Sequence, residues 1–109
     1  MNHFEVDQVS LLLAQRTAQR LRQSPEFLEL ARRNLDRWSQ HNSGTPSLLR
    51  CYEEWRAILD RPLDEVCEML CAESEEGQRL RQNSPFAGVL SPAEVWEIKS
   101  RFRHATTSA

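Results

Sequence analysis

The spacing of the prolines constrains this chain more than any other feature. There are five, at positions 25, 46, 62, 85 and 92. Proline locks its own φ and has no N–H to donate, so a helix tolerates it only in the first turn. Four of the five fit that position. Ser24-Pro25, Thr45-Pro46 and Ser91-Pro92 each pair a capping side chain with a first-turn proline, and Pro62 opens a segment of its own. Each stretch so delimited carries apolar residues at steps of three and four, the period of a helix with one buried face.

Read in order, the first helix is expected over about Val6 to Gln23, with Leu11, Ala14, Ala18 and Leu21 on one face and Arg16 and Arg20 away from it. The second is expected from Pro25 to His41, with Phe27, Ala31, Leu35 and Trp38 in line and Arg32, Arg33 and Arg37 outside the stripe. The third follows Thr45-Pro46 and carries Leu48, Tyr52, Trp55 and Leu59. The fourth follows Pro62 and buries Leu63, Val66, Cys67 and Leu70. Ser74-Glu75-Glu76-Gly77 reads as a break, followed by a turn or two ending near Asn83. A last helix is expected from Pro92 to Arg103, with Val95, Ile98 and Phe102 inward, Ser91 as cap and Glu94 closing a capping box. No stretch alternates apolar and polar residues as a half-buried strand does, and there is no Asn-Gly or Asp-Gly hairpin. The expectation is an all-α, compact single-domain bundle of five or six short helices over residues 1–104, with a small polar, disordered tail over 105–109.

One apolar segment falls outside the helices. Phe86, Ala87, Val89 and Leu90 lie between Pro85 and Pro92, with Gly88 among them. Asn83-Ser84 ends the preceding helix, because the residue before a proline is pushed out of the α region. Four apolar residues in a loop must be covered, either by this domain's own core or by a partner.

Charge is unevenly placed. Residues 1–50 hold seven arginines against five acids, whereas residues 51–109 hold seven bases against eleven acids. Within 53–76, nine acids face only Arg56 and Arg61. An acidic stretch of this kind repels nucleic acid and complements a basic protein surface, where opposite charge steers encounter and register. No apolar run approaches the roughly 20 residues needed to cross a bilayer. The N-terminus lacks the pattern of a signal peptide. Three cysteines, an odd number, suit a reducing compartment. A cytoplasmic protein is expected.

Catalytic chemistry finds little support. Cys67 and Cys71 are four apart on one helix, and Cys51 and the histidines at 3, 41 and 104 complete the inventory of soft ligands, but a structural zinc site wants four converging ligands. The bland reading, small buried hydrophobes, is preferred. A nucleophilic cysteine needs a base beside it, and none is close in sequence. The pairs Glu53-Glu54, Asp64-Glu65 and Glu75-Glu76 point about 100° apart on a helix, so each pair is read as solvated rather than as an acid–base couple. Three glycines cannot build a phosphate-binding loop. No enzyme, metal or cofactor is expected. A helix-turn-helix reading would place Arg32, Arg33 and Arg37 on the recognition helix, but Glu26 and Glu29 occupy its N-terminal part, where phosphate and bases would be met.

Arg61-Pro62-Leu63-Asp64-Glu65, followed by Arg79 through Pro92, resembles a group of small, mostly uncharacterised bacterial proteins encoded beside abortive-infection-type nucleotidyltransferases, in the position of an antitoxin. The likeness covers about the C-terminal half and is most specific over 79–92; the helix with Leu35 and Trp38 also looks similar. The resemblance implies a protein partner, a nucleotidyltransferase-like toxin, and carries no catalytic residues. The resulting expectation is a non-enzymatic, antitoxin-like interaction module that restrains such an enzyme. Phe86, Val89 and Leu90 would serve as apolar anchors and Asp64, Glu65 and Glu68 as charge complement. Arg79 and Arg81 would position the loop or touch the partner. The alternatives are a helical DNA-binding regulator, which the charge distribution disfavours, and a self-associating protein whose loop docks on a dimer mate.

Overall fold

A computed structural model describes the backbone of residues 3–107 and the side chains of residues 5–102. The fold is all-α: α1 (His3–Gln23), α2 (Phe27–His41), α3 (Pro46–Leu59), α4 (Leu63–Leu70), α5 (Glu75–Arg81) and α6 (Pro92–Thr107), with no strand among the described residues. Successive helices α2 to α5 pack on one another, while α1 runs against α4, α5 and α6. No helix among the described residues is long and apolar enough to cross a membrane.

The helical periodicity maps onto burial. Ala14, Ala18 and Leu21 of α1, Ala31 and Leu35 of α2, Tyr52, Trp55 and Leu59 of α3, and Val66, Cys67 and Leu70 of α4 are all buried in one cluster. Val95, Ile98 and Phe102 of α6 are only half-buried, so α6 lies along the outside of α1 rather than inside the bundle. Each fully buried Leu or Val adds roughly 1.5–3 kcal/mol relative to exposure.

The helix starts differ in detail. The capping box of α6 forms: the Glu94 amide donates to Ser91 Oγ at 3.2 Å, and the Ser91 amide donates to Glu94 Oε1 at 3.1 Å. Thr45 precedes Pro46 but makes no side-chain cap. Ser24 and Pro25 do not open α2. They form a tight turn ahead of it, in which the Phe27 and Leu28 amides donate to the Ser24 and Pro25 carbonyls at 3.1 and 3.0 Å. The expected break at 74–77 lies earlier, because Ser74 caps α5 by accepting from the Gly77 amide at 3.1 Å. Gly77 is buried so tightly that a Cβ there would stand 2.1 Å from the Ala72 carbonyl oxygen. At the other end α6 continues through Thr107 where a tail was expected after residue 104; residues 108–109 lie outside the described residues.

The loop between α5 and α6 is the main correction. Phe86, Val89 and Leu90 are 5%, 2% and 8% exposed and belong to the domain's own interior, so they are not available as anchors for a partner. Phe86 meets Trp55 edge to face, with ring centroids 5.6 Å apart. The Trp55 indole Nε1–H donates to the Leu80 carbonyl at 3.0 Å, which also accepts from the Asn83 amide at 3.2 Å. The loop backbone is held by Asn34 of α2. Its buried carboxamide donates to the Pro85 carbonyl at 2.9 Å and the Ala87 carbonyl at 3.0 Å, and its Oδ1 accepts from Arg37 Nη2 at 2.9 Å. Gly88, at φ +92°, turns the chain so that Val89 and Leu90 re-enter the core.

Replacing Phe86 by Ala is expected to destabilise the fold by about 3–5 kcal/mol, the range for emptying a buried aromatic site. Urea unfolding followed by Trp fluorescence checks this, and Phe86→Asp should abolish the cooperative transition. A change below about 1 kcal/mol for Phe86→Ala, typical of an exposed position, would contradict the burial.

Candidate functional site

With the loop internal, the surface is defined by charge. Of the nine acids in 53–76, five have ion-pair partners. Asp60 meets Arg32 at 3.0 Å, Asp64 meets Arg22, Glu53 lies 3.7 Å from Arg56, and Glu54 and Glu76 share Arg79. Arg22, Arg32 and Arg79 come from outside the acidic segment, so α1, α2 and α5 neutralise part of it. The other four, Glu65, Glu68, Glu73 and Glu75, are exposed and without a salt bridge among the described residues. Glu65 and Glu68 are three apart on α4 and share a face. This run along α4 and the α4–α5 connection is an exposed acidic surface without salt bridges among the described residues.

The predicted site residues therefore separate into groups. Glu65 and Glu68 are exposed as expected, and Asp64 is exposed but paired with Arg22. Arg79 is half-exposed and bonded to Glu54 at 2.6 and 3.1 Å and to Glu76, which joins α3 to α5. This pairing raises the Arg79 pKa further and lowers that of Glu54, because each charge stabilises the other. Arg81 is only 8% exposed and makes no surface contact. Its Nη1 donates to the Leu70 and Ala72 carbonyls at 3.2 and 2.5 Å, capping the C-terminal end of α4. Phe86, Val89 and Leu90 lie in the core.

The arginines of α2 also have structural occupations. Arg32 binds Asp60 and the Leu59 carbonyl, and Arg37 orients Asn34, leaving Arg33 as the one exposed arginine of the three without such a partner among the described residues. That arrangement is a poor phosphate-binding face. The cysteines are free, and burial pushes the Cys67 and Cys71 thiols up, away from the thiolate that nucleophiles and metal ligands require. Cys67 Sγ lies 3.9 Å from the Ala18 carbonyl as a weak donor. No group of three or more His, Cys, Asp or Glu among the described residues is placed to hold a metal ion. His3 and His104 have side chains outside the described residues.

Two features escaped the sequence reading. Asn34 sits on the apolar side of α2, where a polar residue has no periodic signal. Trp96, 71% exposed on α6, was legible in principle, since it stands one residue from inward-facing Val95 and two from Ile98. Comparisons with protein-family models, curated proteins and solved structures give no match for this chain.

Two surface carboxylates give a pH signature. Glu94 is held below the usual carboxylate range by the Ser91 amide and by Arg20, whose Nη2 lies 2.8 Å away, and Glu54 is held down by Arg79. A depressed folded-state value adds stability that is complete above the unfolded value, about 4.3 for Glu, and is lost as pH falls through the folded values. Urea titrations between roughly pH 3 and 6 should show stability falling below about pH 4.3, with a shallower fall in Glu94→Gln. An unchanged pH profile in that variant would contradict the assignment.

Proposed function

We propose that the chain is a non-enzymatic protein-interaction module of the antitoxin type, which restrains a nucleotidyltransferase-like enzyme by presenting its acidic α4–α5 edge to that enzyme's basic cleft. The observation that carries this reading is the segregation of charge. Most acids elsewhere on the described surface are ion-paired, whereas Glu65, Glu68, Glu73 and Glu75 stand together along the chain without a salt bridge among the described residues. Complementary charge of this kind governs association rate and register more than affinity. The likeness of residues 61–65 and 79–92 to small proteins encoded beside such enzymes supplies the class of partner. The apolar loop is internal, held by Asn34 of α2 and Trp55 of α3, and has no part in the proposed contact.

Co-expression with a nucleotidyltransferase-like toxin of the abortive-infection type tests the proposal. The wild-type chain should relieve that enzyme's toxicity and co-elute with it at low salt, and the complex should dissociate as salt rises. Glu68→Lys/Glu73→Lys should lose both effects while keeping a cooperative thermal melt. Toxicity relieved equally by the folded double variant would contradict the acidic-edge reading. Absence of any complex at low salt would contradict the partner.

A further inference from the structure

A cleft of about 590 Å³ opens between α1, the loop after α5 and the first turns of α6. Its walls are apolar, formed by Val9, Leu13, Leu70, Phe86, Leu90 and Val95. Its charged members are Arg81 and Lys99, and no acid lines it, although the whole chain has a net charge of −2. The volume falls within the roughly 300–1,000 Å³ of small-molecule sites, which are mostly apolar with a few convergent polar groups.

Arg81 is the unusual part. It is 92% buried, lies in an apolar wall and has no carboxylate within ion-pairing distance among the described residues. Nη1 is occupied with the end of α4, but Nε is buried with no hydrogen-bond partner, and Nη2 has no acceptor among the described residues. A buried cation with an unmet donor is strongly unfavourable unless something pairs with it. Nε is sealed from solvent, so Nη2 is the guanidinium nitrogen left to meet an anion, through a charge-assisted hydrogen bond to a carboxylate. Thr17 and Ser84 are engaged elsewhere: the Thr17 hydroxyl donates to the Leu13 carbonyl at 2.8 Å, and Ser84 Oγ accepts from the Phe86 amide at 3.4 Å. Lys99, exposed at the α6 side and without an ion pair among the described residues, adds a second positive charge.

We propose that this cleft binds a monocarboxylate with an apolar body, its carboxylate accepting from Arg81 Nη2 and its chain along α1 between Leu13 and Leu90. The site is separate from the acidic edge, and binding here does not depend on the partner reading.

The test titrates the full chain with decanoate, and with decyltrimethylammonium as a tail-matched cation, by calorimetry and by amide and methyl chemical shifts. Decanoate should bind saturably, shift Val9, Leu13, Phe86 and Leu90, and bind at least about tenfold tighter than the cation, as charge-assisted pairing requires. Arg81→Met should abolish the preference for the anion. Because that variant also loses the α4 cap, Lys99→Glu is measured beside it and should weaken decanoate binding with the thermal melt unchanged. Equal affinity for the two amphiphiles overturns the proposal. So do the absence of saturable shifts at the cleft and shifts that follow protein concentration instead of decanoate, which would make the cleft a dimer seat.

Discussion

The carboxamide of Asn34 is the interaction on which the rest of the arrangement depends. A ten-residue connection can bury Phe86, Val89 and Leu90 only if the backbone polar groups carried in with them are satisfied, and a loop has no ladder to satisfy them. Asn34 supplies two donors to the carbonyls of residues 85 and 87 from inside the bundle, and Arg37 fixes which way the amide faces. With the backbone so held, Phe86 can stack edge-on against Trp55, and the Trp55 indole in turn closes the end of α5. α2, α3, α5 and the loop are thereby joined through the Asn34 carboxamide, the Trp55–Phe86 ring contact and the Trp55 indole bond to Leu80. Arg20 of α1 completes the enclosure, binding Glu94 at the start of α6 and reaching the Val89 carbonyl at 3.5 Å.

This construction decides what the surface can do. Burying the loop removes its apolar residues from recognition and leaves charge as the main feature. The arginines are largely spent on internal joints: Arg22 and Arg32 hold α4 and the α3–α4 turn to α1 and α2, Arg79 joins α5 to α3, and Arg81 closes α4. The glutamates of α4 and its connection to α5 are not used in this way, which is why the acidic edge is the surface proposed to meet a basic partner. Exposed pairs of this kind each contribute about 0–1 kcal/mol, so they shape the surface more than they stabilise the fold.

Helix content and the inward faces were legible in the sequence because periodicity and first-turn proline act locally. Ala14, Ala18, Leu21, Leu35, Trp55 and Leu70 all fall where a 3.6-residue repeat places them. The capping box at Ser91 and Glu94 was legible for the same reason. The fate of the 84–90 loop was not, because it depends on a contact between residues 34 and 85–87 that no local pattern announces. The role of Arg81 was hidden likewise: in sequence it is one of two arginines beside the loop, and only the meeting of α4 and α5 shows that it is buried. The start of α2 misled because Ser24-Pro25 suits a turn and a helix cap equally well.

The Asn34 and Trp55–Phe86 contacts all require the loop to belong to the cooperative core. Native-state hydrogen exchange of the Val89 amide, which donates to the Phe86 carbonyl at 3.1 Å, and of the Trp55 indole N–H measures this directly. Both protons should exchange only through global unfolding, with free energies equal to those of the slowest amides of α3. Exchange of either through a local opening, while α3 remains protected, would show a loop that leaves the core and would contradict the account.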